Sequence, residues 1–151
     1  MSKKLLLDFE EEIEYSIIGI SSQLKDYRLI FYFNKLAGFD FKRVESFVFT
    51  LKGEEFIYSL YVYLDYDNMR NFYLISNQTN SVKLIKEFKH FDYLLIMDGE
   101  IEENFLKELS KRIKSISGVL LSSILNADAF NKIPNLRTSF DFHLDDVLKE
   151  F

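Results

Sequence analysis

Residues 55–66 read "EFIYSLYVYLDY", and their phase decides the fold. Side chains alternate between the two faces of a strand. Phe56, Tyr58, Leu60, Val62 and Leu64 therefore share one face, and Ile57, Ser59, Tyr61 and Tyr63 share the other. The run is β-branched and aromatic, as strands prefer, and it is apolar on both sides. Upstream, "LKGEEF" (51–56) is a short polar link with Gly53, and "RVESFVFTL" (43–51) is a second alternating strand with Phe47, Phe49 and Leu51 on one face. Downstream, "DYDNMR" (65–70) is a turn and "NFYLISN" (71–77) returns as a third strand. Short links between alternating segments predict an antiparallel meander.

Outward from this meander, each flank reads as strand, helix, strand. "IEYSIIGI" (13–20) is a short apolar strand, followed by a helix in "QLKDYRLIFYFNKLAG" (23–38), with Gly38 as its terminating residue. On the other side, a strand over roughly Phe91 to Met97 leads into a helix in which Ile101, Phe105, Leu109, Ile113 and Ile116 recur at helical spacing. Asp98 is placed to cap it. Glu100, Glu102 and Glu103 at its start, and Lys111, Arg112 and Lys114 near its end, suit the helix dipole. Gly118 ends it and "VLLSSIL" (119–125) is the last strand. The expected fold is α+β: a two-layer sandwich, with a mixed or antiparallel sheet carrying two main helices on one face. Residues 1–151 are expected to form one domain, with 140–151 as a C-terminal helical tail.

Composition narrows the function. Nineteen basic against 24 acidic residues leave a net charge of −5. Nucleic-acid affinity comes largely from counterion release on a basic face, so direct nucleic-acid binding is not expected. No apolar run approaches the roughly 20 residues of a spanning helix, and acids begin at Asp8, where a signal peptide would still be apolar. A cytoplasmic location without membrane contact is expected, and the absence of cysteine agrees.

Catalytic signatures are incomplete. Thiol chemistry is excluded, His90 and His143 lack metal-ligand spacing, and none of the five glycines builds a phosphate loop. Neither catalytic, metal nor cofactor residues are assigned. The one candidate functional segment is "LIKEFKHFDYLLIMDG" (84–99), with Glu87, His90, Asp92 and Tyr93. In a continuous strand only His90 and Asp92 would share a face. They could form a base and its orienting acid, yet no nucleophile is tied to them. The competing reading has Asp92 hydrogen-bonded to backbone amides at a strand start.

Within that segment, "IKEFKHFDY" (85–93) resembles the motif that names the bacterial IPExxxVDY family, which has no assigned function. Ile85, Glu87, Asp92 and Tyr93 match; Lys86 stands in place of proline and Phe91 in place of valine. "KDYRLIFYFNKLAG" (25–38), "FYLISN" (72–77) and, more weakly, "SSILNADAFNKIPNLRTSF" (122–140) are similar as well. The resemblance implies a small cytoplasmic protein and carries no reaction with it.

The expected function is a non-catalytic binding or interaction protein, a homodimer or the partner of an unidentified protein. The apolar second face of the sheet, Ile57, Tyr61 and Tyr63 with Tyr73 and Ile75, is the expected interface. The alternatives are a small enzyme or small-ligand binder using Glu87, His90, Asp92 and Tyr93, and an accessory role in RNA metabolism without direct nucleic-acid contact. A C-terminal segment folded back over the sheet would be the intramolecular substitute for a dimer.

Overall fold

A computed structural model describes residues 14–36, 38–99 and 101–151. The acidic residues Asp8 to Glu12, the strand start at Ile13, and Glu100 lie outside the described residues. The meander is present as β2 (Lys42–Leu51), β3 (Glu54–Asp65) and β4 (Arg70–Ser76). Lys52 and Gly53 both take positive φ, 51° and 82°, between the paired residues Leu51 and Glu54. Positive φ at both central residues is what a tight hairpin needs to match strand twist. The second turn is held by Asp65, whose carboxylate accepts from the Asn68 backbone and side chain and from Arg70.

β1 (Ser16–Ser22) leads to helix α1 (Asp26–Leu36), and β7 (Tyr93–Asp98) leads through α2 (Glu103–Lys114) to β8 (Val119–Leu125). Gly38, just past α1, has φ of 70°, as a helix-terminating glycine does. A small hairpin, β5 (Gln78–Thr79) with β6 (Val82–Lys83), projects from the end of β4. The main sheet runs β2-β3-β4-β7-β1-β8, with every neighbouring pair antiparallel. β1 thus slots between β7 and β8, and the two helical connections cross over the sheet instead of joining neighbours. Asp98 does not cap α2: it is the buried last residue of β7, and Glu102 occupies the N-cap position.

α1 and α2 pack on one face, as expected. Leu29, Ile30, Phe33, Leu106, Leu109 and Ile113 meet Ile18, Ile20, Tyr61, Phe72, Leu74 and Leu95 there. The opposite face is not open. α3 (Asp128–Lys132) and α4 (Leu136–Leu148) lie across it, burying Phe130, Leu136, Phe140 and Leu144 against Tyr58, Leu60, Val62, Tyr73 and Ile75. The helical tail begins earlier than residue 140 and adds a layer to the sandwich, as the intramolecular substitute required.

Register corrects the expected interface. Val62 pairs with Tyr73 and Leu60 with Ile75. Directly opposed residues share a face, so Tyr73 and Ile75 belong with Leu60 and Val62, beneath α4. Tyr61 and Tyr63 lie on the other face, the first buried and the second half-buried. Of the five residues only Ile57 is exposed, at 59%. They do not form one surface.

Candidate functional site

The segment read as the candidate site is not an extended strand. After Ile85 the chain makes a 3-10 turn over Lys86–Phe88 and becomes strand only at Tyr93. A single residue pins this excursion. Asn77 is 0% exposed. Its side-chain oxygen accepts from the Ile85 amide at 2.9 Å, and its amide nitrogen donates to the Phe88 and Phe91 carbonyls, both at 3.0 Å. Its backbone N–H donates to the Asp92 carbonyl and its own carbonyl accepts from Leu84, each at 2.8 Å. A buried amide with every polar group partnered is a specific clamp. Phe91 closes the loop onto β1: a Cβ on Gly19 would lie 2.7 Å from its ring. Gly19 is therefore required where the aromatic seats on the strand.

The four sequence-chosen residues do not converge. The Asp92 carboxylate accepts from the Ser22 amide at 2.8 Å, while its backbone N–H donates to the Ile20 carbonyl. The Tyr93 hydroxyl donates to the Leu24 carbonyl at 2.6 Å. Burial, then the nearby charges of Asp26 and Asp92, push the Tyr93 phenol well above its ordinary pKa. His90 is exposed, and the contact it offers is its backbone carbonyl, which accepts from the Ser21 hydroxyl. Glu87 is exposed on the far side of the turn. Asp92 and Tyr93 thus fasten the loop to the segment after β1, and the base-and-acid reading has no geometry behind it.

Glu87 instead stands at an apolar cleft of about 300 Å³. Leu51 from the end of β2, Leu84 and Ile85 from the clamped loop, and Ala129, Ile133 and Pro134 from α3 and its exit form the walls. Lys83, Lys86, Lys132 and Glu87 complete the lining. No sequence signal marks this concavity, because its walls come from three separated segments.

A buried polar network ties α4 to the sheet. The Tyr15 hydroxyl donates to Asp141 at 2.7 Å, and Arg137 donates to the same carboxylate at 3.1 Å while its guanidinium lies 4.0 Å from the Tyr15 ring centre. Beside it, Tyr73 donates to Asp98 at 2.8 Å. Burial raises the pKa of Tyr15, Tyr73 and Asp98; hydrogen bonds from Tyr73 and Asn71 offset only part of the effect at Asp98. Perturbed groups often mark active sites, and structural networks perturb them too. Here Tyr15 bonds Asp141 of α4 and Tyr73 bonds Asp98 of the neighbouring strand, which are anchoring roles.

Among the described residues β2 and β8 are the sheet's two edges, and they differ. β2 carries Lys42, Arg43 and Glu45, and its register breaks between Val44 and Phe47. β8, "VLLSSIL", has no charge and exposes Leu120, Leu121 and Ile124 at 65%, 42% and 44%.

Among the described residues no group of three or more histidine, aspartate or glutamate side chains is placed to hold a metal, and no helix is long and apolar enough to cross a membrane. No family model matches the chain, and no curated protein matches it.

Proposed function

We propose that this chain is a non-catalytic interaction protein that pairs with a second copy of itself along β8. The observation that carries the reading is the contrast between the two edges. An exposed edge offers a row of unpaired N–H and C=O groups, and proteins blunt such edges with charge and bulges. β2 has both devices. β8 has a bulge too, against Ser21 and Ser22 of β1 as β2 has one against β3, but no charge at all, so charge is the device it lacks. Every pairing in the sheet is already antiparallel, and an antiparallel β8–β8 contact is what a twofold axis generates. Twofold dimers are the commonest closed assembly. The contact would bury Leu121 and Ile124 from both copies. It replaces the sheet-face interface, whose Tyr61, Tyr73 and Ile75 are buried inside the fold.

Membership of the IPExxxVDY family is part of the same proposal, with a cytoplasmic location. Its support is that Ile85, Asp92 and Tyr93, three of the matching positions, all hold the loop in place. The motif thus serves loop geometry in this chain, and the family it resembles has no assigned function.

Sedimentation at micromolar concentration tests the dimer. The expected result is a dimer for the native chain, with a melting temperature that rises with concentration, and a folded monomer whose melting temperature is independent of concentration for Leu121→Lys with Ile124→Lys. A native monomer would overturn it, as would a dimer that survives both lysines. A monomer that dimerises only after removal of residues 1–13 would assign the edge to this chain's own N-terminal segment.

A further inference from the structure

We propose that the cleft between the clamped loop and α3 binds a single-chain aliphatic carboxylate, chain inward and carboxylate at the lysines. The walls, Leu51, Leu84, Ile85, Ala129, Ile133 and Pro134, contribute only aliphatic side chains. Much of the loop backbone beneath them is already hydrogen-bonded. The Leu84 and Ile85 amides donate to Asn77, the Ile85 carbonyl accepts from Phe88, and the Lys86 carbonyl accepts from Lys89. A guest placed there is therefore selected for an apolar body, since a polar one would lose water without gaining partners.

Shape and charge narrow the guest further. The chain has 16 phenylalanines and 9 tyrosines, yet no aromatic residue lines this cleft. It lacks the stacking platform that a nucleobase or a ring system would use. A volume of about 300 Å³ is at the small end of ligand cavities, which fits an alkyl chain of medium length. Three lysines against one glutamate give the lining a formal +2, in a chain whose net charge is −5. That local reversal suits an anionic head. Lysine stems also lie well along apolar walls while their ammonium groups stay in water. The cleft is held open before any guest arrives: Asn77 fixes Leu84 and Ile85, and such preorganisation lowers the cost of binding.

Titration calorimetry with decanoate below its micellar concentration tests the assignment. The expected result is one decanoate per chain, bound at least tenfold more tightly than decanol, with no binding of acetate. Lys86→Glu with Lys132→Glu, both at exposed positions, should bring decanoate below the affinity of decanol and leave decanol unchanged. Leu121→Lys with Ile124→Lys should bind decanoate as the native chain does, which separates this site from the β8 edge. No decanoate binding would overturn the proposal. So would decanol binding as tightly, many equivalents per chain, or a charge-reversed variant that binds decanoate undiminished. Decyl phosphate bound tenfold more tightly than decanoate would overturn the carboxylate and assign the lysines to a phosphate head.

Discussion

Asn77→Ala tests the clamp directly. The substitution removes three hydrogen bonds from a site with no water access. The Phe88 carbonyl keeps a partner, because the Phe91 amide also donates to it at 2.9 Å. The Ile85 N–H and the Phe91 carbonyl lose the partner that Asn77 gave them. Each buried group left unpaired costs roughly 2 kcal/mol, so the expected loss is about 4 kcal/mol. That is a large part of the roughly 5–15 kcal/mol that holds a domain folded. At an m-value of about 2 kcal/mol/M the urea midpoint should fall by roughly 2 M. Asn77→Asp should be at least as damaging at neutral pH. It keeps an acceptor for Ile85 but turns a buried oxygen toward two carbonyls. Hydrogen exchange separates local from global loss: the Leu84 and Ile85 amides should lose protection first. A midpoint shift below about 0.5 M, with those amides still protected, would refute the clamp.

Three further outcomes are expected. His90→Ala should leave the melting temperature unchanged while Asp92→Ala lowers it, since only Asp92 holds a backbone amide with its side chain; equal, negligible shifts in thermal melts would remove the structural role of Asp92. Asp98→Asn should raise the melting temperature at pH 7. Burial lifts the folded pKa of Asp98, so its favourable contribution is complete only below the unfolded value near 3.9 and is lost as pH rises through the folded one; the gain from asparagine should shrink toward pH 4, and a gain independent of pH would contradict this. Tyr15, Tyr73 and Tyr93 all have raised folded pKa values, so their stabilising contribution is present below about pH 10 and lost above it; urea titrations should show stability falling by roughly 4 kcal/mol per pH unit there, and Tyr73→Phe should lessen the slope.

The sequence signals that worked were contrasts. β3 was legible because its alternation is long and its turns carry Gly53 and Asp65. α1 and α2 were legible from helical spacing and terminal charges. The phase of β4 was not, because Phe72, Tyr73, Leu74 and Ile75 are all buried. With helices on both faces, alternation loses its polar half and no longer says which residue points where. The covering helix was placed late for a related reason: Arg137, Thr138 and Ser139 look solvated until Arg137 is seen against Tyr15 and Asp141. Asp92 and Tyr93 were legible as structural residues of a strand start. Asn77 was not, since a lone asparagine beside Gln78 and Thr79 reads as a surface turn. Its importance depends on five backbone partners spread from residue 84 to residue 92.

The position of β1 has a consequence for synthesis. Its residues leave the ribosome before those of the other described strands, yet its partners on both sides come late: Ile20 pairs with Tyr93 and Ser122. At roughly 5–20 residues per second, β1 waits about 5–20 s for its outer neighbour. Ile17, Ile18 and Ile20, which the finished fold hides completely, spend that interval without a strand to cover them. β2, β3 and β4 meanwhile have only neighbours in sequence to find and can close as they emerge. The sheet therefore grows around its middle, and its earliest-made strand is inserted late. A nascent chain stalled before Tyr93 therefore carries an apolar strand whose partners on both sides have not yet been made.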